Sequence, residues 1–301
     1  MNLKFVKMSG AGNDFIMVDN RDGIYAALLT GKAIASLCRR GLSVGADGLI
    51  EIRNDPSHSF AMKYYNSDGG SAGMCGNGAR CICRFALELG MVPSGAVFTF
   101  TSDAGIHHGL VTGDCEARIW TTEPVLHFVK KNIDIGIPVS PGFADTGVPH
   151  AVVFVSELED GSFEEYAPIL RHHPEFGPDG ANVNWAKLNS DGSLEIRTFE
   201  RGVEGETLAC GTGAVACALV SSERVDFVSL PVRIAVRSGL DLTVGRDSRG
   251  WWLQGEARMV YRAETVSFDR AGITQLAECQ LPKLNVAGSR PVARSTKSVE
   301  A

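Results

Sequence analysis

Cys75-Gly76-Asn77-Gly78-Ala79 recurs downstream as Cys210-Gly211-Thr212-Gly213-Ala214, with only the residue between the glycines changed. Each stretch leads straight into an apolar segment with helical spacing: Ile82, Phe85, Ala86 and Leu89 after the first, Val215, Ala218 and Leu219 after the second. Both therefore predict a cysteine at the N-terminus of a buried helix. The glycines allow a ligand to approach the backbone closely, and the unpaired N–H groups and dipole of a helix start favour an anion there. The same field lowers a thiol pKa and populates thiolate. Two such cysteines suggest two acid/base groups around one substrate.

The flanks of the two motifs repeat as well. Upstream of Cys75, strands at 3–7 and 16–19 enclose the loop Ser9-Gly10-Ala11-Gly12-Asn13-Asp14-Phe15. That loop opens no helix, so it does not read as a dinucleotide fingerprint. A helix is predicted over 24–40, with Ile34 and Leu37 on one face and Gly41 as its stop. Strands at 49–53 and 60–65 and the turn Asn66-Ser67-Asp68-Gly69-Gly70 then deliver the chain to Cys75. Strands at 96–100, 106–111 and 117–120 follow, and Pro124 marks a boundary.

Beyond it the pattern restarts. Apolar alternation over 133–139, a strand at 151–155 after Pro149-His150, a short helix over 164–171 and strands at 181–188 and 194–198 lead to Glu200-Arg201-Gly202 and the second cysteine helix. Strands at 232–236, 240–244, 251–253 and 257–261 complete it. Helices with little polar face need cover on all sides, which predicts an α/β (α+β) fold of two similar domains. Each is a mixed, largely antiparallel sheet wrapped around a central helix: 1–123 around the Cys75 helix and 124–262 around the Cys210 helix, with 263–268 returning to the first. The helix starts would meet at the interface, a common place for ligands.

Composition narrows the function classes. A formal charge of -6 and no Lys/Arg cluster argue against a nucleic-acid partner. No apolar run is long enough to span a bilayer and no secretion signal is apparent, so a cytoplasmic chain with reduced thiols is expected. Cys38, Cys83, Cys115 and Cys217 read as inert buried thiols. Cys81 and Cys83 lie on different faces of a helix, which argues against a metal site with Cys75. His107, His108, His172 and His173 read as turn or surface residues, whereas His150 begins a strand after a Gly-x-Pro turn.

Taken together, Ser9 to Phe15, Asn66-Ser67-Asp68-Gly69, Cys75 to Arg80, Pro149-His150, Glu200-Arg201-Gly202 and Gly205 to Gly213 resemble diaminopimelate epimerases over about residues 3–268. That family interconverts LL- and meso-diaminopimelate without pyridoxal, for lysine and peptidoglycan synthesis. The resemblance implies two similar α/β domains, a homodimer and no cofactor or metal. It implies Cys75 and Cys210 as the two proton carriers, with His150 and Glu200 helping to move protons to and from them. It places Asn13, Gly76, Asn77, Gly211 and Thr212 at the reacting end, and Arg201, Asn66 and Asn184 at the distal end. The residues agree: inverting an α-carbon needs one base and one acid on opposite faces, and helix N-termini aimed at the α-carboxylate oppose the charge that develops. Val148 and Gly48 depart from the pattern, standing where relatives carry Asn and, in some members, Gln.

Two other readings compete. A cysteine-pair racemase of proline, hydroxyproline or histidine would have no use for Arg201, Asn66 and Asn184. A non-catalytic anion-binding or thiol redox protein is the other, and a redox function would have no use for the glycine and asparagine surroundings. The tail, 269–301, has polar composition and no sustained period and is expected to be disordered. Its Gln275-Leu276 and Gly288-Ser289-Arg290-Pro291 look like a transfer-RNA gene read as protein, as if the reading frame runs past an ancestral stop.

Overall fold

The computed structural model describes residues 2–159, 161–269 and 272–280, with side chains through Val266. The described residues form four α-helices set among strands: α1 (Gly31–Cys38), α2 (Gly76–Glu88), α3 (Ser162–Arg171) and α4 (Gly211–Arg224). Helices α2 and α4 are the two that the repeated motif predicts. Cys75 and Cys210 are their N-caps, both in extended backbone conformation, which turns an incoming loop into the first helical turn.

Helix α2 packs against the strands Lys4–Gly10, Asn13–Asp19, Gly105–Gly113 and Glu116–Trp120, and α4 against Gly142–Asp145, Pro149–Val155, Asn182–Leu188 and Asp241–Asp247. The pairing is mixed. Asn13–Asp19 runs parallel to Gly48–Arg53, and Pro149–Val155 parallel to Asn182–Leu188, while most other pairs are antiparallel. The two halves share one sheet because Glu116–Trp120 pairs antiparallel with Gly250–Glu256, setting Ile119 opposite Leu253. They share a core too: Ile82 and Phe85 of α2 belong to the same apolar cluster as Val215 and Leu219 of α4. Each such side chain contributes roughly 1.5–3 kcal/mol by leaving water, so the cluster holds the two helix starts in register. Separate clusters lie under α1, around Ile34 and Leu37, and under α3, around Phe163, Leu170 and Trp185.

Three elements differ from the sequence reading. The helix expected over 24–40 begins only at Gly31, because Thr30 is its cap: Thr30 Oγ1 accepts from the Ala33 N–H at 3.2 Å. The preceding segment is instead a series of turns, held where Asn20 Oδ1 accepts from the Tyr25 N–H at 3.0 Å. The alternation over 133–139 becomes two short strands, Ile133–Asp134 and Pro138–Val139, paired with each other, since Gly136 turns the chain between them at φ 94°.

The third difference is at the end of the chain. The strand Arg258–Asp269 returns to pair with Lys4–Gly10, from Ser9 opposite Arg258 to Lys4 opposite Glu264. The sequence reading expects a disordered tail over 269–301. Instead Gly272–Gln280 folds back antiparallel onto it, with Gly272 opposite Asp269 and Gln280 opposite Arg262. A strand edge presents main-chain donors and acceptors to whatever chain follows, and those bonds make little demand on side-chain polarity. The expectations for 281–301 fall outside the described residues.

Candidate active site

The two helix starts converge. A Cβ on Gly211 would stand 2.8 Å from Leu253 Cδ2, 3.6 Å from Asn77 Oδ1 and 4.0 Å from Arg80 Nη1, so the first turn of α4 lies directly against that of α2. Leu253 Cδ2 is also 3.8 Å from where a Cβ on Gly76 would be, placing its side chain between both turns. Asn77 Nδ2 donates across to the Ala209 carbonyl at 3.4 Å, one residue before Cys210. Gly213 permits a still closer approach, because a Cβ there would fall 2.4 Å from Asn184 Oδ1.

The thiols are free and differ in setting. Cys210 is buried, and its sulfur accepts from the Gly213 N–H at 3.4 Å and lies 3.3 Å from Thr212 Oγ1. Cys75 is half-buried and its side chain does not cap its own helix. The sequence reading expected the helix ends to lower both thiol pKa values, but burial is the larger effect and raises both. At Cys75 the backbone N–H groups of Gly78 and Asn77 and the charge of Arg80 pull the value back, while Glu200 pushes it further up. At Cys210 the Glu200 carboxylate is the second cause of the rise, opposed by Thr212 and the Gly213 N–H. Glu200 therefore acts on both sulfurs, and it is fixed by Thr207, whose Oγ1 donates to Glu200 Oε1 at 2.7 Å.

The loop at Gly10 to Asp14 reaches this point through Asn13. Asn77 Nδ2 donates to Asn13 Oδ1, and Asn13 Nδ2 donates to Asp47 Oδ2 at 2.9 Å. Asp47 and Asp14 exchange backbone and side-chain bonds, and Lys7 (2.7 Å from Asp14 Oδ2) and Arg40 neutralise them. An open cleft between this loop and Thr207 and Leu208 forms the mouth. Gly12, at φ 118°, presses on Leu208 from the other half, where a Cβ would stand 2.8 Å from Leu208 Cβ.

His150 is fully buried at the start of Pro149–Val155. Its Nδ1 lies 3.1 Å from Asn184 Nδ2 and its Nε2 3.4 Å from Asn182 Nδ2. Burial, with a smaller contribution from Arg201, pushes its pKa down to about 3. An uncharged ring has one acceptor nitrogen, so it accepts from only one of the two facing amide NH2 groups. Asn184, expected at the distal end, is also fully buried, and its amide is committed to His150, to the Ala151 carbonyl at 3.0 Å and to Thr198 Oγ1 at 3.0 Å. Asn182, two residues earlier on the same strand face, is the amide that meets Arg201: its Oδ1 accepts from the Arg201 N–H at 2.8 Å. Arg201 itself is partly exposed and makes no ion pair among the described residues. Asn66 is exposed at the end of Ala61–Asn66, where its N–H closes the turn onto Gly70 at 2.9 Å.

The departures have local causes. A side chain at position 48 is excluded, since a Cβ would meet the Tyr65 carbonyl at 2.5 Å and the Tyr64 ring at 2.7 Å. Val148 is half-buried in a turn whose carbonyl accepts from the Thr146 N–H at 3.1 Å, and Thr146 Oγ1 in turn reaches the Thr212 carbonyl at 3.3 Å. Asn182, Arg80, Asp47 and Thr207 were not singled out from sequence. A polar residue at apolar helical spacing, as Arg80 is in α2, was a signal that could have been used.

The family model for diaminopimelate epimerase matches residues 5–120 and 142–260. The diaminopimelate epimerase of Chlorobaculum tepidum is 41% identical over 257 residues, covering 85% of this chain and 98% of that one. That of Aquifex aeolicus is 38% identical over 270 residues, covering 86% and 96%. Among solved structures, a Bacillus anthracis phenazine biosynthesis protein of the PhzF family superposes with a TM-score of 0.65 at 15% identity, covering 89% of this chain and 100% of that one. A probable proline racemase from Agrobacterium radiobacter K84 gives 0.61 at 13% identity, covering 94% of each. At those identities the structures speak to the fold alone; the family model and the close relatives speak to descent, and the chain belongs to the diaminopimelate epimerase family.

Proposed function

We propose that this protein epimerises LL- and meso-diaminopimelate by passing protons through Cys75 and Cys210, without pyridoxal, in lysine and peptidoglycan precursor synthesis. The observation that carries the reading is the convergence of two cysteine-capped helix starts on one amide, Asn77, beside a carboxylate, Glu200, that acts on both sulfurs. One cysteine as thiolate takes the α-proton, charge grows on the α-carboxylate between the helix N-termini, and the other thiol returns a proton to the opposite face. The N–H groups at Gly76, Asn77, Gly211 and Thr212 are the donors available to that carboxylate.

Charge favours Cys75 as the resting thiolate, with Arg80 near it, and Cys210 as the resting thiol, with Glu200 near it. Arg201, a cation with no ion pair among the described residues, suits the distal carboxylate, with Asn182 bonded to it and Asn66 as a further contact. Asn184 and His150 support these groups from the interior. The cleft lies at the junction of two domains, 1–123 and 124–262, and the active form is a cytoplasmic homodimer. The test is conversion of LL-diaminopimelate to the meso form by the reduced protein, beside L-proline and trans-4-hydroxy-L-proline. Turnover of diaminopimelate alone is expected; turnover of a proline substrate alone would overturn the assignment.

A further inference from the structure

Arg80 is among the largest fully buried side chains of the protein. It sits one helical turn into α2, behind both helix starts, and its neighbours are unusual for a guanidinium. Nη2 donates to Asn77 Oδ1 at 2.9 Å, Nη1 to the Gly76 carbonyl at 3.5 Å and Nε to the Glu256 carbonyl at 3.4 Å. All three acceptors are neutral, and among the described residues no carboxylate is paired with it. The Glu256 carboxylate meets Arg258 through Oε1, at 3.0 Å, while its Oε2 is buried with no hydrogen-bond partner. Burying a cation without a direct ion pair is costly, and doing so beside two helix N-termini of the same sign adds repulsion. The Glu256 charge favours Arg80 there, but burial outweighs it. An anion that forms nearby during reaction would favour it further.

Arg80 also begins a directed chain of hydrogen bonds. A guanidinium can only donate, so it fixes the oxygen of the Asn77 amide toward itself and turns the NH2 group away. That NH2 donates to Asn13 Oδ1 and the Ala209 carbonyl. The Asn13 NH2 in turn donates to Asp47 Oδ2. The chain runs from a cation to a carboxylate, and each link leaves only one orientation for the next amide. We propose that Arg80 is a positioning residue for the reaction: it sets the orientation of Asn77 and, through it, Asn13, and its fixed charge stands behind Cys75 to favour the thiolate. This rests on the two-thiol reading above. Arg80 is among the groups that pull the Cys75 thiol back down against burial, which agrees with the geometry.

The test compares Arg80→Met and Arg80→Lys with wild type by steady-state kinetics, thermal melting and the rate at which iodoacetamide labels Cys75, read by mass spectrometry of its peptide. Arg80→Met removes charge and donors but keeps most of the volume, and should fold with an unchanged or raised melting temperature. Its kcat should fall about thirtyfold or more while KM moves less than about threefold, the pattern of an interaction realised in the transition state. Labelling of Cys75 should slow by about fivefold or more as the thiolate fraction drops. Arg80→Lys should keep labelling within about threefold of wild type, yet lose about tenfold in kcat because an ammonium lacks the planar fork. A folded Arg80→Met protein with kcat and labelling within about twofold of wild type overturns the proposal. If that variant does not fold, wild-type kcat in Arg80→Lys overturns it. Labelling is read without turnover, so a failure here differs from a failure of the two-thiol reading, which shows as activity surviving in Cys75→Ala.

Discussion

The two helix starts carry nearly the same five residues, but their surroundings make them different. The α4 start is closed: Cys210 is capped by the Gly213 N–H and Thr212, and Gly213 lies against a buried amide held by three partners. The α2 start is looser around the sulfur, with Cys75 half-buried and a buried cation, Arg80, five residues on. On the proposed reading the repeated motif supplies two similar proton carriers. Glu200 raises both thiols and ranks higher among the causes at Cys210, whereas Arg80 opposes the rise at Cys75.

The sharpest way to break this comparison is to remove each sulfur in turn. Cys75→Ala and Cys210→Ala should each lower epimerisation by on the order of 10³-fold or more while leaving the fold intact, because each deletes one of two obligatory proton carriers. Near wild-type activity in either would end the two-base reading. The packing difference gives the next effect. Gly213→Ala sets a methyl against an amide that cannot move without losing three bonds, and should cost about 1–3 kcal/mol in urea unfolding. Gly78→Ala meets only Ile50 Cδ1, at 2.6 Å, the end of a side chain that can shift. It should cost less than half as much. Equal losses would mean that the two starts are equally constrained.

Between pH 7 and 5, acidification should act on the α4 side through His150. His150 has a folded pKa of about 3 against an ordinary 6.5, so between those values only the unfolded chain gains its proton. Folded stability attributable to this group is intact above pH 6.5 and falls as pH drops toward 3, by about 1.4 kcal/mol per unit. The gap in urea midpoint between wild type and His150→Gln should narrow accordingly from pH 7 to 5. A gap independent of pH would mean the imidazole is not held neutral. The smallest effect is expected at the distal end, where Val148→Asn should raise kcat/KM for diaminopimelate by less than about tenfold, roughly 1.4 kcal/mol. A larger gain would point to another natural substrate.

Much of this was legible in the sequence because glycine and cysteine at fixed spacing state a backbone requirement that local chemistry explains. The helix starts and the strands flanking them follow from such stretches, whereas Asn13 and Asn77 were named through the family resemblance. Asn182 could not be told from Asn184 in the same way. Both lie on one face of their strand, and which of them meets Arg201 depends on a register with His150 set across more than thirty residues. The direction of the thiol pKa shifts was misjudged for a related reason: a helix dipole is local and visible in sequence, whereas the burial that outweighs it is a property of the assembled core. The strand Gly272–Gln280 was missed because it relies on main-chain pairing with a neighbour rather than on its own pattern.

The most direct measurement is isotopic. LL-diaminopimelate is incubated with the reduced protein in deuterated water, and deuterium at the inverted carbon is followed in product and in recovered substrate during the first few per cent of conversion. With Cys75 removing the proton and Cys210 returning another from the opposite face, the meso product should carry solvent deuterium from the start while recovered substrate stays protiated. Deuterium appearing in recovered substrate as fast as product forms would mean that one base serves both faces, and would contradict the division of labour between Cys75 and Cys210.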